Sequence, residues 1–217
     1  MIRAIFFDLD GSIVDCADLH YEALNRALKE SDFPTIGRTE HDTTFNGLST
    51  RAKLTLLQTE YRSVISGQDA IERVFVLKQR YTAELAKEHV RPDQVKVEMF
   101  RGLAKGYKLA VVSNCIRVSV EMILGLAGLN WYTSFYVSNQ DVVRCKPAPD
   151  PYLLAVEKMS ERIGTLKPTE VLVIEDNEKG VQSAQAAGLE VVQLQYPYIT
   201  LGVMRAVIAA AERKMAG

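Results

Sequence analysis

The chain has 217 residues, of which 47% are hydrophobic and 24% are charged, and its formal net charge at pH 7 is −1. This composition is ordinary for a globular protein and allows one large domain, or one domain that carries a smaller inserted one. Because the charge is nearly balanced and no long block has a single sign, nothing indicates electrostatic binding to nucleic acid or to an anionic membrane.

The sequence carries few signals of cellular location or of redox chemistry. No apolar run approaches the ~20 residues that a membrane-spanning helix needs, and the N-terminus enters a predicted strand without a signal-peptide pattern. We therefore expect a cytoplasmic protein with no membrane partner. Cys16, Cys115 and Cys145 are too few and too scattered for a disulfide framework or a zinc site, so reduced thiols are expected.

Short apolar runs predict the strands of a sheet. The first, at residues 4–7, is continuously apolar, which is typical of an interior strand. Similar runs follow at residues 109–112, 135–137, 171–174 and 191–194. Helical patterns are predicted at residues 116–126, 151–159, 181–187 and 201–215. Strands that alternate with helices predict an α/β fold, a doubly wound parallel sheet covered on both faces.

The stretch from residue 16 to residue 92 interrupts this alternation. Helices are predicted at residues 19–28, 51–61 and 71–86, and no convincing strand lies between them. We therefore predict a core made of residues 1–15 and 93–217, with residues 16–92 inserted as a helical domain. Pro92 and Asp93 mark the return to the core.

Polar side chains follow four of the predicted strands, where ligands of such sheets bind. They are Asp8, Asp10 and Ser12 after the first strand, Ser113 and Asn114 after the second, Lys146 after the third, and Glu175 and Asp176 after the fourth.

This set of side chains predicts phosphoryl transfer. Several carboxylates in one crevice cannot all stay ionised without a cation, and their hard oxygen ligands suit Mg²⁺. Lys146 and the backbone N–H groups near Asn114 would hold a phosphate. An aspartate beside a held phosphate can attack it, and a second acid two positions later can move the proton. Asp8 would be the nucleophile and Asp10 the acid and base.

The same residues resemble the motifs of the haloacid dehalogenase-like superfamily, whose members are mostly Mg²⁺-dependent phosphohydrolases. The segments "DLDGSIVD", "VVSN", "CKPAPDPY" and "VIEDNEKG" are similar to its first to fourth motifs, in the same order and each behind a predicted strand. The resemblance covers nearly the whole chain and implies a phosphoric monoester hydrolase.

The resemblance also implies a role for each matching residue. Asp8 is the nucleophile, and Asp10 is the acid and base whose backbone carbonyl ligates the metal. Ser113 and Lys146 hold the phosphoryl group, and Glu175 with Asp176 completes the magnesium site. Asn114 and Ser12 are expected to contact phosphate, and residues 16–92 are expected to be a C1-type cap that selects the substrate.

Within the superfamily, the chain is similar to the β-phosphoglucomutase-like phosphatases. His20 fits their hinge region, and "NGLSTR", with Gly47 and Arg51, resembles their cap substrate loop. The spacing from glycine to arginine is one residue longer than in the mutase, which argues against that activity. Thr50 stands where related phosphonoacetaldehyde hydrolases have a lysine, which argues against Schiff-base chemistry.

We therefore expect a Mg²⁺-dependent phosphatase that acts on a small phosphorylated metabolite such as a sugar phosphate. By family precedent it would be a monomer. A phosphomutase with the same first step is the alternative. A phospho-receiver domain, which needs neither Asp10 nor a cap, and a non-catalytic binding protein are more remote alternatives.

Overall fold

The computed structural model describes residues 1–60 and 67–216. The chain forms two compact units, one made of Met1–Asp15 with Arg91–Gly217 and the other of Cys16–Val90. We call them the core unit and the cap unit. In the part of the chain that is described, no helix combines the length and the apolar character needed to cross a membrane.

A parallel five-stranded sheet forms the centre of the core unit, with strand order β3-β2-β1-β4-β5. Its strands are β1 (Ala4–Phe7), β2 (Lys108–Val112), β3 (Phe135–Val137), β4 (Val171–Glu175) and β5 (Glu190–Gln193). The predicted α/β fold with a parallel sheet is confirmed, because every continuously apolar run became a strand within one residue of its predicted ends.

The cap unit contains the first four α-helices, and the core unit contains the others. They are α1 (Ala17–Glu30), α2 (Arg38–Glu40), α3 (Thr50–Glu60), α4 (Gln68–His89), α5 (Gln94–Leu103), α6 (Arg117–Leu126), α7 (Asp150–Ile163), α8 (Glu178–Ala186) and α9 (Leu201–Ala216). Short π and 3₁₀ turns lie at His41–Phe45, Asn130–Tyr132 and Pro168–Glu170. Tyr61, the last residue of one predicted helix, lies outside the described residues.

Helix α5 was not predicted from the sequence, because a lysine occupies one of its buried positions. Lys96 is buried, and its Nζ donates to the backbone oxygens of Pro197 and Ile199, each at 2.8 Å. Asp93 caps the helix by accepting a hydrogen bond from the Val95 N–H. A buried lysine breaks the apolar periodicity on which helix prediction depends.

The core unit buries its sheet on both faces. On one face, Phe6 and Val173 belong to a cluster that includes Tyr152 and Met159 of α7. On the other face, the ring of Phe7 packs against Phe100 of α5, with 4.9 Å between ring centroids. A strand that is covered on both sides must be apolar at every position, as β1 is.

The cap unit has a hydrophobic cluster of its own. Leu24 and Leu28 of α1 pack with Leu54 of α3, Leu77 of α4 and Phe45 of the π turn. These residues recur at helical spacing in the sequence, which is why the helices of this unit could be predicted.

The strand order of the core unit determines where a ligand can bind. The order reverses next to β1, whose neighbours are β2 and β4. In the register of β1 and β4, Phe7 lies opposite Ile174, so Asp8 and Glu175 leave the sheet side by side. The crevice at such a reversal is the usual ligand site of doubly wound sheets.

Candidate active site

A buried lysine joins two of the acidic residues that follow the strands. Lys146 Nζ lies 2.7 Å from Asp8 Oδ1, 2.5 Å from Glu175 Oε1 and 2.6 Å from the backbone oxygen of Val112. Its side chain is 5% exposed. The three oxygens accept hydrogen bonds from the three N–H groups of the ammonium, so the lysine is held in a single orientation.

Glu175 lies at the end of β4 and is completely buried. The hydroxyl of Tyr152 donates a 2.5 Å hydrogen bond to the same oxygen, Oε1, that binds Lys146. Among the described residues, no hydrogen-bond partner reaches its other oxygen, Oε2. A buried carboxylate oxygen without a donor is costly, so this atom is a candidate ligand for a cation.

Two glycines leave room for the carboxyl groups. A Cβ on Gly180 would lie 2.0 Å from Glu175 Cδ, and a Cβ on Gly11 would lie 2.3 Å from Asp176 Oδ2. Gly11 also has a positive φ of 84°, which disfavours other residues there. The backbone of the core unit therefore approaches both carboxylates more closely than any side chain would allow.

Carboxylate oxygens of Asp8, Glu175 and Asp176 lie within 4.8 Å of one another. Burial raises the pKa of Asp8, although the charge of Lys146 opposes the shift. Burial also raises the pKa of Glu175 to about 8 and that of Asp176 to about 7, and the negative charge of Asp8 adds to both. The pKa of Lys146 is raised, because the two acids outweigh the effect of its burial.

These shifts describe a site with an excess of negative charge. Three carboxyl groups share one ammonium group, so two negative charges are left when all three are ionised. A divalent cation with a preference for oxygen would balance them.

The loop after β2 adds the hydroxyl group of Ser113 to the site, and its Asn114 side chain holds the backbone of Lys146 in place. Ser113 is buried, and its Oγ accepts a hydrogen bond from the Cys115 N–H at 3.1 Å. The Asn114 side chain accepts from the Lys146 N–H and donates to the Lys146 carbonyl oxygen, both at 3.1 Å. The amide of Asn114 thus ties the second motif to the third.

Asp10 and Ser12 lie in the turn that follows β1. Asp10 is half-buried, and its Oδ2 accepts a hydrogen bond from the Cys115 thiol at 3.0 Å. The turn is closed by a hydrogen bond from the Gly11 N–H to the Val14 carbonyl oxygen. Ser12 is completely buried, and within the described ranges its Oγ has no hydrogen-bond partner.

Comparison with known proteins agrees with this geometry. The sequence profile of the haloacid dehalogenase-like hydrolase family matches residues 5–194. The chain belongs to the haloacid dehalogenase-like hydrolase family.

Two curated members of the family resemble the chain over most of its length. A phosphoglycolate phosphatase from Shigella boydii is 32% identical over 214 residues, which cover 91% of this chain and 82% of that protein. The pyrophosphatase PpaX from Bacillus mycoides is 27% identical over 208 residues, which cover 90% of this chain and 84% of that protein. The family match together with the phosphoglycolate phosphatase makes the chain a phosphoric monoester hydrolase.

A solved structure shares the fold. The β-phosphoglucomutase from Clostridium difficile superposes with a TM-score of 0.81 and covers 99% of this chain and 98% of its own. Its sequence is 19% identical, so the likeness concerns the fold. The C1-capped subgroup expected from the sequence is confirmed.

The structure places the family's core motif residues together in the core unit. Asp8, Lys146, Glu175 and Asp176 form one buried cluster, and Ser113 lies at the end of the neighbouring strand β2. Asp10 is joined to the loop after β2 through Cys115.

The cap residues suggested by the resemblance have different surroundings. His20, on α1, is buried, and its Nδ1 lies 3.3 Å from Nζ of Lys78 on α4. Gly47 has a positive φ of 75° in the turn before α3. Arg51 is exposed, pairs with Glu72 at 3.1 Å and lies over the Phe75 ring.

Some residues of the site were not found from the sequence. Tyr152 is the last residue of the segment that resembles the third motif, but only its buried contact with Glu175 shows what it does. In the cap unit, Lys78 and His41 are buried although they can carry charge, and nothing in the sequence distinguishes them. Lys53 is buried too, and the sequence offered it, with Arg51, as a cation that either lies on a helix surface or faces the substrate.

Proposed function

We propose that this enzyme is a Mg²⁺-dependent phosphatase that hydrolyses a small phosphorylated metabolite through an aspartyl-phosphate on Asp8. The observation that carries the proposal is the Lys146 ammonium between Asp8 and Glu175. It holds both carboxylates, which together with Asp176 form a cluster of oxygen ligands within 4.8 Å of one another.

Asp8 is suited to nucleophilic attack. One of its oxygens is bound to Lys146, which keeps the carboxyl group in place. Burial raises its pKa, so the charge of Lys146 and of a bound cation is needed to keep it ionised. An oriented and weakly hydrated carboxylate beside a bound phosphate reacts as a nucleophile.

The residues present fit a magnesium ion. The donors are oxygens, Glu175 Oε2 is buried without a hydrogen-bond partner among the described residues, and the carboxyl groups of Asp176 and Glu175 occupy positions that only glycine at 11 and 180 allows. Asp8, Glu175, Asp176 and the Asp10 carbonyl would hold the ion. When bound, the ion supplies positive charge to the phosphoryl oxygens.

The reaction that we propose has two steps. Asp8 attacks the phosphorus, the bond from phosphorus to the leaving oxygen breaks, and Asp10 gives that oxygen a proton. Asp10 then takes a proton from water as the water attacks the phosphorus, and the bond from Asp8 to phosphorus breaks to release phosphate. Ser113, Ser12 and the backbone near Asn114 would orient the phosphoryl group throughout.

The relatives and the cap unit support a proposal for the substrate class. Phosphoglycolate and pyrophosphate, which the relatives' names specify, both carry a second anionic group. In the cap unit, Lys53 is buried close enough to His41 to lower the pKa of that imidazole. We propose that these groups, with His20, Gly47 and Arg51, select a metabolite with a second anionic group.

The remaining expectations stay proposals. A small metabolite as the only partner and a monomeric enzyme of the cytoplasm are consistent with the family. Light scattering after size-exclusion chromatography would measure the oligomeric state directly.

The proposal is tested by measuring phosphate release from a panel of phosphorylated acids, sugar phosphates and pyrophosphate, with and without Mg²⁺. We expect Mg²⁺-dependent release that Asp8→Asn abolishes. Asp10→Asn should slow release strongly while a hydroxylamine-sensitive phosphoenzyme can still form. Glu161→Gln, at an exposed site on α7, is the matched control and should keep full activity.

Two results would count against the proposal. Release that does not depend on Asp8 would remove it as the nucleophile. Absence of release across the panel, together with isomerisation of β-glucose 1-phosphate in the presence of a bisphosphate primer, would establish the phosphomutase alternative.

A further inference from the structure

The thiol of Cys115 contacts the carboxyl group of Asp10, with 3.0 Å between Sγ and Oδ2. We infer that Cys115 is a positioning residue, whose S–H donates a hydrogen bond that orients Asp10 for proton transfer. The inference rests on the proposed function, since it assumes that Asp10 is the acid and base.

The backbone of Cys115 is fixed on both sides. Its N–H donates to Ser113 Oγ at 3.1 Å, and its carbonyl oxygen accepts from the Asn139 N–H at 3.0 Å. The first contact anchors the cysteine to the end of β2, and the second anchors it to the loop that follows β3. Because both peptide groups are held, the direction of the Cα–Cβ bond is set, and the contact with Asp10 Oδ2 then selects one of the staggered positions of the thiol.

The residue to which the thiol bonds lies in the turn after β1. Asp10 is the third residue after that strand and is half-buried, whereas Asp8 is buried and bound to Lys146. An acid that must face first a leaving oxygen and then a water needs a defined orientation, and a misplacement of ~1 Å can cost two orders of magnitude in rate. A donor on Oδ2 restricts rotation of the carboxyl group.

The chemistry of the thiol suits this role. An S–H group is a weak donor and accepts hydrogen bonds poorly, so a carboxylate partner defines the direction of the bond. A serine hydroxyl in the same place would also donate, whereas an alanine would leave Oδ2 without this donor. The two substitutions therefore separate hydrogen bonding from packing.

The first test compares Cys115→Ala with Cys115→Ser, using the best substrate of the panel. For the alanine variant we expect about a tenfold fall in kcat with little change in KM, as for the loss of one hydrogen bond to a charged group. The serine variant should keep most of the wild-type kcat, because its hydroxyl can donate the same hydrogen bond. Cys145→Ala removes a neighbouring thiol, 4.0 Å from the carbonyl oxygen of Asn139, and should retain wild-type kcat.

A second test does not need activity. The infrared S–H stretching band of Cys115 is assigned as the band that Cys115→Ala removes. We expect it at a hydrogen-bonded frequency in the wild type, and at a higher frequency in Asp10→Ala.

The outcomes separate the inference from the proposed function. A Cys115 band that Asp10→Ala leaves unmoved would overturn the inference, and so would alanine and serine variants with equal losses of kcat. If no substrate is hydrolysed but the band shifts, the hydrogen bond is established and the proposed function alone fails.

Discussion

The carboxyl group of Glu175 occupies the space where any residue other than glycine at position 180 would place its Cβ. The built Cβ would lie 2.0 Å from Glu175 Cδ, and contacts below 3.0 Å are essentially never seen. Gly180 lies in the first turn of α8, and its N–H donates to the cap residue Asn177 at 3.1 Å. The carboxyl group at the end of β4 therefore fits against the first turn of α8 only when residue 180 is glycine.

Gly180→Ala is expected to displace the Glu175 carboxyl group. We expect a loss of ~10- to 100-fold in activity or in apparent Mg²⁺ affinity, the range seen when support for a metal ligand is removed. Overpacking costs ~1–3 kcal/mol of stability, and the higher helix propensity of alanine offsets ~1 kcal/mol of this cost. Activity as a function of Mg²⁺ concentration and thermal unfolding are the measurements.

Gly125→Ala in α6 is the matched control. Among the described residues, no atom beyond the helix's own backbone and the adjacent residues lies within 4 Å of the Cβ built at Gly125. The same substitution should therefore leave activity unchanged and stabilise the protein by up to ~1 kcal/mol. Equal losses in both variants would show that the close approach to Glu175 is unimportant.

Tyr152→Phe tests the buried hydrogen bond to Glu175. Burial and the charge of Glu175 raise the pKa of Tyr152, so its hydroxyl is protonated and donates to Oε1. Removal of this donor should lower the free energy of unfolding by ~1–2 kcal/mol and weaken apparent Mg²⁺ affinity by about tenfold. Urea unfolding and Mg²⁺ titration of activity provide the readouts.

Tyr136→Phe serves for comparison, because Tyr136 donates to Glu121 at the exposed edge of the core unit. We expect a change in stability below ~0.5 kcal/mol there, as for most surface substitutions. If the two tyrosine variants behaved alike, the contact of Tyr152 with Glu175 would have no special role.

His41 should make the folding stability of the cap unit decrease at acidic pH. Burial and the charge of Lys53 lower its pKa from 6.5 to about 4, and the hydrogen bond with Asp42 only partly opposes this. A histidine whose pKa is lower in the folded state stabilises the fold above pH 6.5. This stability is lost as the pH falls toward 4.

Between pH 6.5 and pH 5 the wild type should lose about 2 kcal/mol through this residue, at ~1.4 kcal/mol per pH unit. His41→Gln should be less sensitive to pH by that amount, as measured by urea unfolding at both values. His89→Gln, at the exposed end of α4, is the control and should keep the wild-type dependence. An identical dependence in His41→Gln would contradict the prediction.

The sheet and the cluster of acidic residues at its end could be predicted because their sequence signals are local. A strand buried on both faces must be apolar throughout, as at Ala4–Phe7. Asp8 and Glu175 follow such runs directly, and parallel strands bring their carboxyl ends to one edge.

What the sequence could not predict depends on distances between residues far apart in the chain. Tyr152 and Gly180 matter because both approach Glu175, and neither residue type indicates this by itself. Helix α5 could not be predicted because the partners of its buried Lys96 lie about a hundred residues away in the sequence. They are the backbone oxygens of Pro197 and Ile199. Buried polar contacts of this kind have no periodic signature.

The start of helix α3 offers the last prediction, because its two cations, Arg51 and Lys53, have different environments. Arg51 is exposed, its Nη1 lies 3.1 Å from Glu72, and its guanidinium lies 4.3 Å from the Phe75 ring centroid. Lys53 is 4% exposed and acts on the buried His41. Because Lys53 is buried, its charge is screened less by water than that of the exposed Arg51, and Lys53 is the better candidate for binding a second anionic group of the substrate.

We therefore expect Lys53→Met to raise KM by at least about tenfold for a substrate with two anionic groups, the effect of one lost charge-assisted contact. The increase should be smaller for a substrate with a single phosphate. Arg51→Met should raise KM by a smaller factor than Lys53→Met, because Arg51 is exposed and already paired with Glu72. Thermal unfolding would show whether both variants are folded. A larger effect of Arg51→Met would assign substrate selection to the exposed arginine, as the sequence resemblance suggests.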